Sequence, residues 1–144
     1  MFGKILLAYD GSAFGAAPLR QSAELATLSN AELHLLGIVP TTGFAALAEG
    51  SGSIDVWGRE RESLQQALDA AVRYIGAQGV NVISSIREGD PQAEIIHYAH
   101  QIKADLVVLG HSGKGVIARW FEGSVGFKLL DNLPCSLLIA TGKA

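Results

Sequence analysis

Four small residues in the last third of the chain have a spacing that could do chemistry. Gly110 is followed by two residues and then Gly113, and after nine more come Gly123 and Ser124. The pattern is G-x2-G-x9-G-S. Glycine lets the backbone approach a ligand closely and adopt positive φ, so successive N–H groups can point at one anion. A helix opening at Gly123-Ser124 would add its free first N–H groups, its positive dipole end and the Ser124 hydroxyl. The chemistry on offer is capture of a phosphate. The spacing is neither a Walker A loop, which needs G-x4-G-K-[ST], nor the dinucleotide fingerprint G-x-G-x-x-G. The plain alternative is a Gly-rich connector. Three features oppose it: the stretch starts where an apolar strand ends, it restarts as a helix at Gly-Ser, and its two halves can close round one ligand.

Other residues offer less. Asp10, before Gly11-Ser12, could accept from an adenine amine or a ribose hydroxyl, or simply make an Asx-turn or helix cap. A phosphatase of the haloacid dehalogenase type needs a second aspartate two residues on, where this chain has Ser12. Receiver domains need an acidic pair after the first strand and a phospho-acceptor after the third, and neither is present. Lys114 and Arg119 could neutralise a phosphate or face water. His111 could donate to a phosphate or cap the loop. His97 and His100 have an i, i+3 spacing that can chelate metal, but no third ligand is near in sequence, which favours solvated surface histidines. Cys135 reads as a small buried thiol. Trp57 and Trp120 read as packing or dimer residues. No Ser-His-Asp order has a nucleophile-elbow context, and no general base lies near the phosphate position, so no catalytic residue is assigned.

Strands and helices alternate around these residues. "KILLAY" (Lys4–Tyr9), "AELHLLGIV" (Ala31–Val39), "GVNVISSIRE" (Gly79–Glu88), "ADLVVLG" (Ala104–Gly110) and "CSLLIAT" (Cys135–Thr141) are apolar, β-rich runs. Ala16 to Leu28 has helical composition, with Pro18 in its first turn. From Asp55 to Gln78 the residues Leu64, Leu68, Ala71, Val72 and Ile75 fall on one helical face, with Gly79 as the stop. "GDPQAEIIHYAHQI" supplies Asp90 as N-cap, Pro91 at the first helical position, and Ile95, Ile96, Ala99 and Ile102 as the buried stripe. A last short helix after Ser124 would use Val125, Leu129 and Leu130. "TTGFAALAEGSGS" (Thr41–Ser53) reads as a mobile loop, either a lid or an insert. The order β-α-β-α-β-α-β-α-β predicts an α/β fold, a parallel sheet covered on both faces. Ligands in such sheets bind at the carboxyl ends of strands where the strand order reverses.

Composition narrows the class. A chain of 144 residues fits one domain, 1–144, with a real core. The hydrophobic share of 49% and mean hydropathy of +0.28 argue against disorder. No apolar run approaches the ~18 residues of a bilayer span. The N-terminal apolar segment is too short for a secretory signal, so a cytoplasmic location is expected. One cysteine excludes an intrachain disulfide. A net charge of −3 and a pI near 5.7, with no Lys/Arg cluster, exclude general attraction to nucleic acid or anionic lipid.

With these residues in view, the chain resembles the universal stress protein family. The likeness is carried by "KILLAYDGS", "AELHLLGIV", "GDP" and "ADLVVLGHSGKG…EGSVGFKLL…PCSLLIA", and it spans nearly the whole chain. It implies a Rossmann-like, five-stranded parallel sheet in the order 3-2-1-4-5, of the adenine nucleotide alpha hydrolase-like kind. It implies an ATP ligand, with Mg²⁺ or Mn²⁺ bridging the phosphates. Asp10 would then lie against the adenosine and Ile38 would line the adenine slot. Gly110 and Gly113 would contact ribose and phosphates, and Gly123, Ser124 and Val125 would hold the phosphate chain. The likeness also implies a homodimer, which would cover the apolar edge strand Cys135–Thr141. One departure is the order His111-Ser112, where the family commonly has Ser-His. The expected function is a nucleotide-dependent stress-response regulator. The alternatives are a dimer that binds no nucleotide and acts through protein contacts, and a slow ATP hydrolase.

Overall fold

Strand β1 (Lys4–Ala8) is buried at every residue after Lys4, because it lies inside a parallel sheet with helices on both faces. The computed structural model describes residues 2–9, 16–40, 54–110 and 125–140. The elements that follow β1 are α1 (Ala16–Ser29), β2 (Glu32–Pro40), α2 (Ile54–Gly76), β3 (Val82–Gly89), α3 (Pro91–Ile102), β4 (Leu106–Gly110), α4 (Val125–Asn132) and β5 (Ser136–Ala140). The five strands stand in the order β3-β2-β1-β4-β5, all neighbours parallel. The predicted alternation and strand order are both present.

Side-chain alternation along each strand makes two cores. Ile5, Leu7, Leu33, Leu35 and Val108 face α1 and α2, where Leu19, Ala23, Leu68, Ala71 and Ile75 meet them. Leu6, Ala8, Leu36, Val107 and Leu109 face α3 and α4, where Ile95, Tyr98, Ala99 and Leu129 meet them. Each fully buried leucine or isoleucine contributes about 1.5–3 kcal/mol.

Local chemistry sets the helix ends. Pro18 sits in the first turn of α1, where its missing N–H costs no helical bond. The helix closes on Asn30 at φ 53°, with the Ala31 N–H reaching the Ala26 carbonyl at 2.8 Å. Asp90 caps α3 by accepting from the Ala93 N–H at 3.0 Å, and Pro91 occupies the first helical position. Lys103 at φ 56° ends α3 in the same left-handed way as Asn30 ends α1.

Three expectations need correction. Gly79 does not begin β3. It takes φ 84° in the turn after α2, and the strand starts at Val82. β4 starts at Leu106, because Asp105 is used as a clamp: its carboxylate accepts from the Gly3 and Lys4 N–H groups at 2.8 and 2.9 Å. Leu130 is 48% exposed while Leu129 is fully buried. Successive residues of a helix point about 100° apart, and here Leu129 faces the core while Leu130 turns away from it.

Gly37 on β2 has a packing reason. A Cβ there would come within 2.9 Å of Leu68 Cδ1 and 3.0 Å of Leu64 Cδ2. Valine suits a strand better than glycine, so any loss in Gly37→Val reports the clash with α2. The variant is expected to lose about 1–3 kcal/mol of stability in urea unfolding. The Asp105 clamp predicts a pH effect. The N–H groups of Lys4 and Gly3 hold its carboxyl below the ordinary value of 3.8. Its contribution is present above that value and is lost as pH falls through the lower native one. Wild type should therefore lose more stability than Asp105→Ala between neutrality and about pH 3. Urea midpoints at the two pH values measure the difference.

Candidate functional site

The carboxyl edge of the sheet is uneven. Ala8, the last residue of β1, is paired with Leu36 on one side and Leu109 on the other. The Tyr9 N–H still reaches the Leu36 carbonyl at 2.9 Å. β2 runs on through Ile38 to Pro40, about 13 Å beyond Leu36 at ~3.3 Å per residue. β4 runs one residue further, to Gly110. The described strands thus leave a notch above β1, walled by β2 and β4. These two strands stand roughly 9–10 Å apart across it. It lies where the strand order reverses, because β1 continues to β2 on one side and is next to β4 on the other.

Ile38 is half-buried on the β2 wall, packed with the α3-side core and in register with Arg87 of β3. Gly110 forms the β4 wall. A Cβ on Gly110 would sit 2.7 Å from Cγ of Pro18 in α1. Glycine at this position is therefore already required by the approach of α1, which the G-x2-G-x9-G-S spacing did not reveal. Val125 is the first residue of α4. Asp10, Gly113, Gly123 and Ser124 lie outside the described residues, as do His111, Ser112, Lys114, Arg119 and Trp120. The segment Thr41–Ser53 is also outside them.

The remaining candidates fall away from the notch. His97 and His100 are both exposed, and the His100 Nε2–H donates to the Asn132 carbonyl at 3.0 Å. This histidine ties α3 to α4. Among the described residues, no three His, Cys, Asp or Glu side chains group to hold a metal ion. Cys135 is half-buried. Desolvation, and then the negative charge of Asp105, push its thiol above the usual range, which keeps it protonated and inert.

One polar cluster was passed over in the sequence. His34 is 7% exposed in the middle of β2. Its Nε2 meets Glu32 Oε1 at 2.5 Å, and its Nδ1 lies 3.5 Å from the hydroxyl of buried Tyr98 in α3. The Tyr98 hydroxyl also meets Ser85 Oγ of β3 at 3.1 Å. Arg87 lies over the Tyr98 ring at 5.3 Å and donates to Gln101 at 3.1 Å. The cluster holds α3 against β2 and β3, beneath the Ile38 wall. Its signal was a lone histidine inside an apolar strand, which must find partners when buried.

Comparisons with known proteins agree with this architecture. A family model described as "Universal stress protein family" matches residues 1–141. Universal stress protein MJ0531 of Methanocaldococcus jannaschii is 30% identical over 140 residues, covering 96% of this chain and 82% of that protein. A universal stress protein solved in complex with cAMP has a TM-score of 0.73 at 19% identity, covering 99% of both chains. The universal stress protein from Archaeoglobus fulgidus, solved in complex with dAMP, has a TM-score of 0.66 at 17% identity and covers 98% of both. No helix among the described residues is long and apolar enough to cross a membrane. The strand order, the notch at its reversal and the match over nearly the whole length lead to one assignment: this chain belongs to the universal stress protein family.

Proposed function

We propose that the protein binds ATP at the notch above β1 and acts as a nucleotide-dependent stress-response regulator. The observation that carries this reading is the notch itself, at the reversal of strand order, with half-buried Ile38 on one wall and Gly110 on the other. It is the kind of crevice in which parallel sheets take ligands. The relatives solved with cAMP and dAMP support an adenine nucleotide as the ligand class. In this reading Ile38 lies beside the base and Asp10 beside the adenosine. Gly113, Gly123, Ser124 and Val125 hold the phosphates, and Gly110 contributes its bare backbone. Mg²⁺ or Mn²⁺ comes with the phosphates. The protein acts as a single domain in the cytoplasm. Binding stabilises one conformer, which a protein partner reads.

The same proposal includes a homodimer formed through the last strand. β5 is an edge strand, and Leu137, Leu138 and Ile139 along it are half-buried. Pairing with a second copy would cover that apolar edge.

Gly110→Ala is a poor test of binding, since its Cβ would displace α1 through Pro18. Gly113→Val and Gly123→Val are the informative variants. Wild type should bind ATP in titration calorimetry, and ATP should be recovered by mass spectrometry after denaturing the purified protein. Both variants should lose the calorimetric signal, because a side chain fills space the phosphates need. Full affinity in both would overturn the assignment of the loop. Sedimentation at micromolar concentration should show a dimer. A monomer there would remove the β5 interface from the proposal.

A further inference from the structure

The geometry points to a second small-molecule site in the cleft between α3 and α4, which takes a ligand through a planar, amide-like edge. The cleft holds a cavity of about 550 Å³, within the range of small-ligand sites. Gln92, the second residue of α3, is 7% exposed and lines it. No hydrogen bond joins the Gln92 carboxamide to another described residue. Ser22 Oγ is the only described side-chain N or O atom both fully enclosed and unpaired, so the Gln92 amide keeps some accessible surface, and the residue lines the cavity. Ile96 adds an apolar wall. The His100–Asn132 hydrogen bond spans the two helices beside the cleft.

The lining bears on the ligand's chemistry. The start of a helix normally favours an anion, but the Asp90 carboxylate already takes the Ala93 N–H and adds its own negative charge. A metal cation lacks a three-group cage among the described residues. His97 and His100 also line the cleft; both are exposed and His100 is engaged with the Asn132 carbonyl, so the buried polar side chain on offer is Gln92. The Gln92 carboxamide presents a C=O and an NH₂ side by side, so its complement is an adjacent donor and acceptor in one plane. A primary amide has that edge, and so does the lactam edge of a nucleobase. Among the described residues, Ile38 and Gly110 do not line the cleft.

Solution NMR of the labelled full chain tests the inference, with nicotinamide and uracil as separate probes at millimolar concentration. The Gln92 side-chain NH₂ signals should shift and saturate with at least one of them. Saturation by nicotinamide alone identifies a free carboxamide ligand, and saturation by uracil alone a base edge. Gln92→Leu matches the volume and should weaken the responding probe at least tenfold. Gln92→Glu keeps the shape but loses the donor and should do the same, so it serves if the leucine variant unfolds. No saturable shift at Gln92 with either probe overturns the proposal. So does unchanged affinity in a folded Gln92 variant.

Discussion

The pairing of β1 on both of its edges is the constraint on which the rest of the structure depends. Ile5, Leu6, Leu7 and Ala8 are each hydrogen-bonded into a parallel ladder with β2 and with β4. Three of them are fully buried, and Ala8 nearly so. A strand used on both edges and both faces has no freedom to shift register, because a one-residue slip would exchange the two cores. The Asp105 carboxylate pins the amino end of this strand to the start of β4. With the amino end fixed and the strand short, the carboxyl end falls at Ala8 while β2 continues to Pro40. The notch is thus a consequence of unequal strand lengths in a fixed register.

Most of the architecture could be read in the sequence, for physical reasons that apply unevenly. Continuous apolar runs identified the strands because a parallel sheet is covered on both faces. Helix α3 was legible to the residue because Asp90 and Pro91 announce its start chemically. The amino end of β3 was misread because "GVNV" has β-like composition, while the positive φ of Gly79 and the turn after α2 are tertiary outcomes. Leu130 was misplaced because α4 is too short for periodicity to separate neighbouring leucines. His34 alone gave a hint of the His34–Tyr98–Ser85 cluster, and its partner Tyr98 lies 64 residues away in α3, so the contact itself was not legible.

The site was less legible than the fold. Ile38 and Gly110 do stand at the described carboxyl edge, where the strand-end rule places a ligand. The spacing that drew attention to Gly110 said nothing of Pro18. Two glycines at strand positions, Gly37 and Gly110, owe their identity to helices pressing on the sheet: α2 through Leu64 and Leu68, and α1 through Pro18. In neither case is the φ left-handed. What glycine supplies at both is the absence of a Cβ.

That distinction changes how the G-x2-G-x9-G-S pattern should be weighed. A motif read as one functional unit invites the inference that each glycine touches the ligand. Gly110 would be required here even with nothing bound, since a side chain would push α1 from the sheet. Its presence therefore counts little for nucleotide binding, and the proposed reading must draw its chemical weight from Gly113, Gly123 and Ser124. The notch supplies independent support, because it follows from β1 ending at Ala8 and not from any glycine. On the proposed reading, changes at those three positions would remove the ligand and leave the fold, whereas a side chain at Gly110 would also disturb the packing of α1 on the sheet.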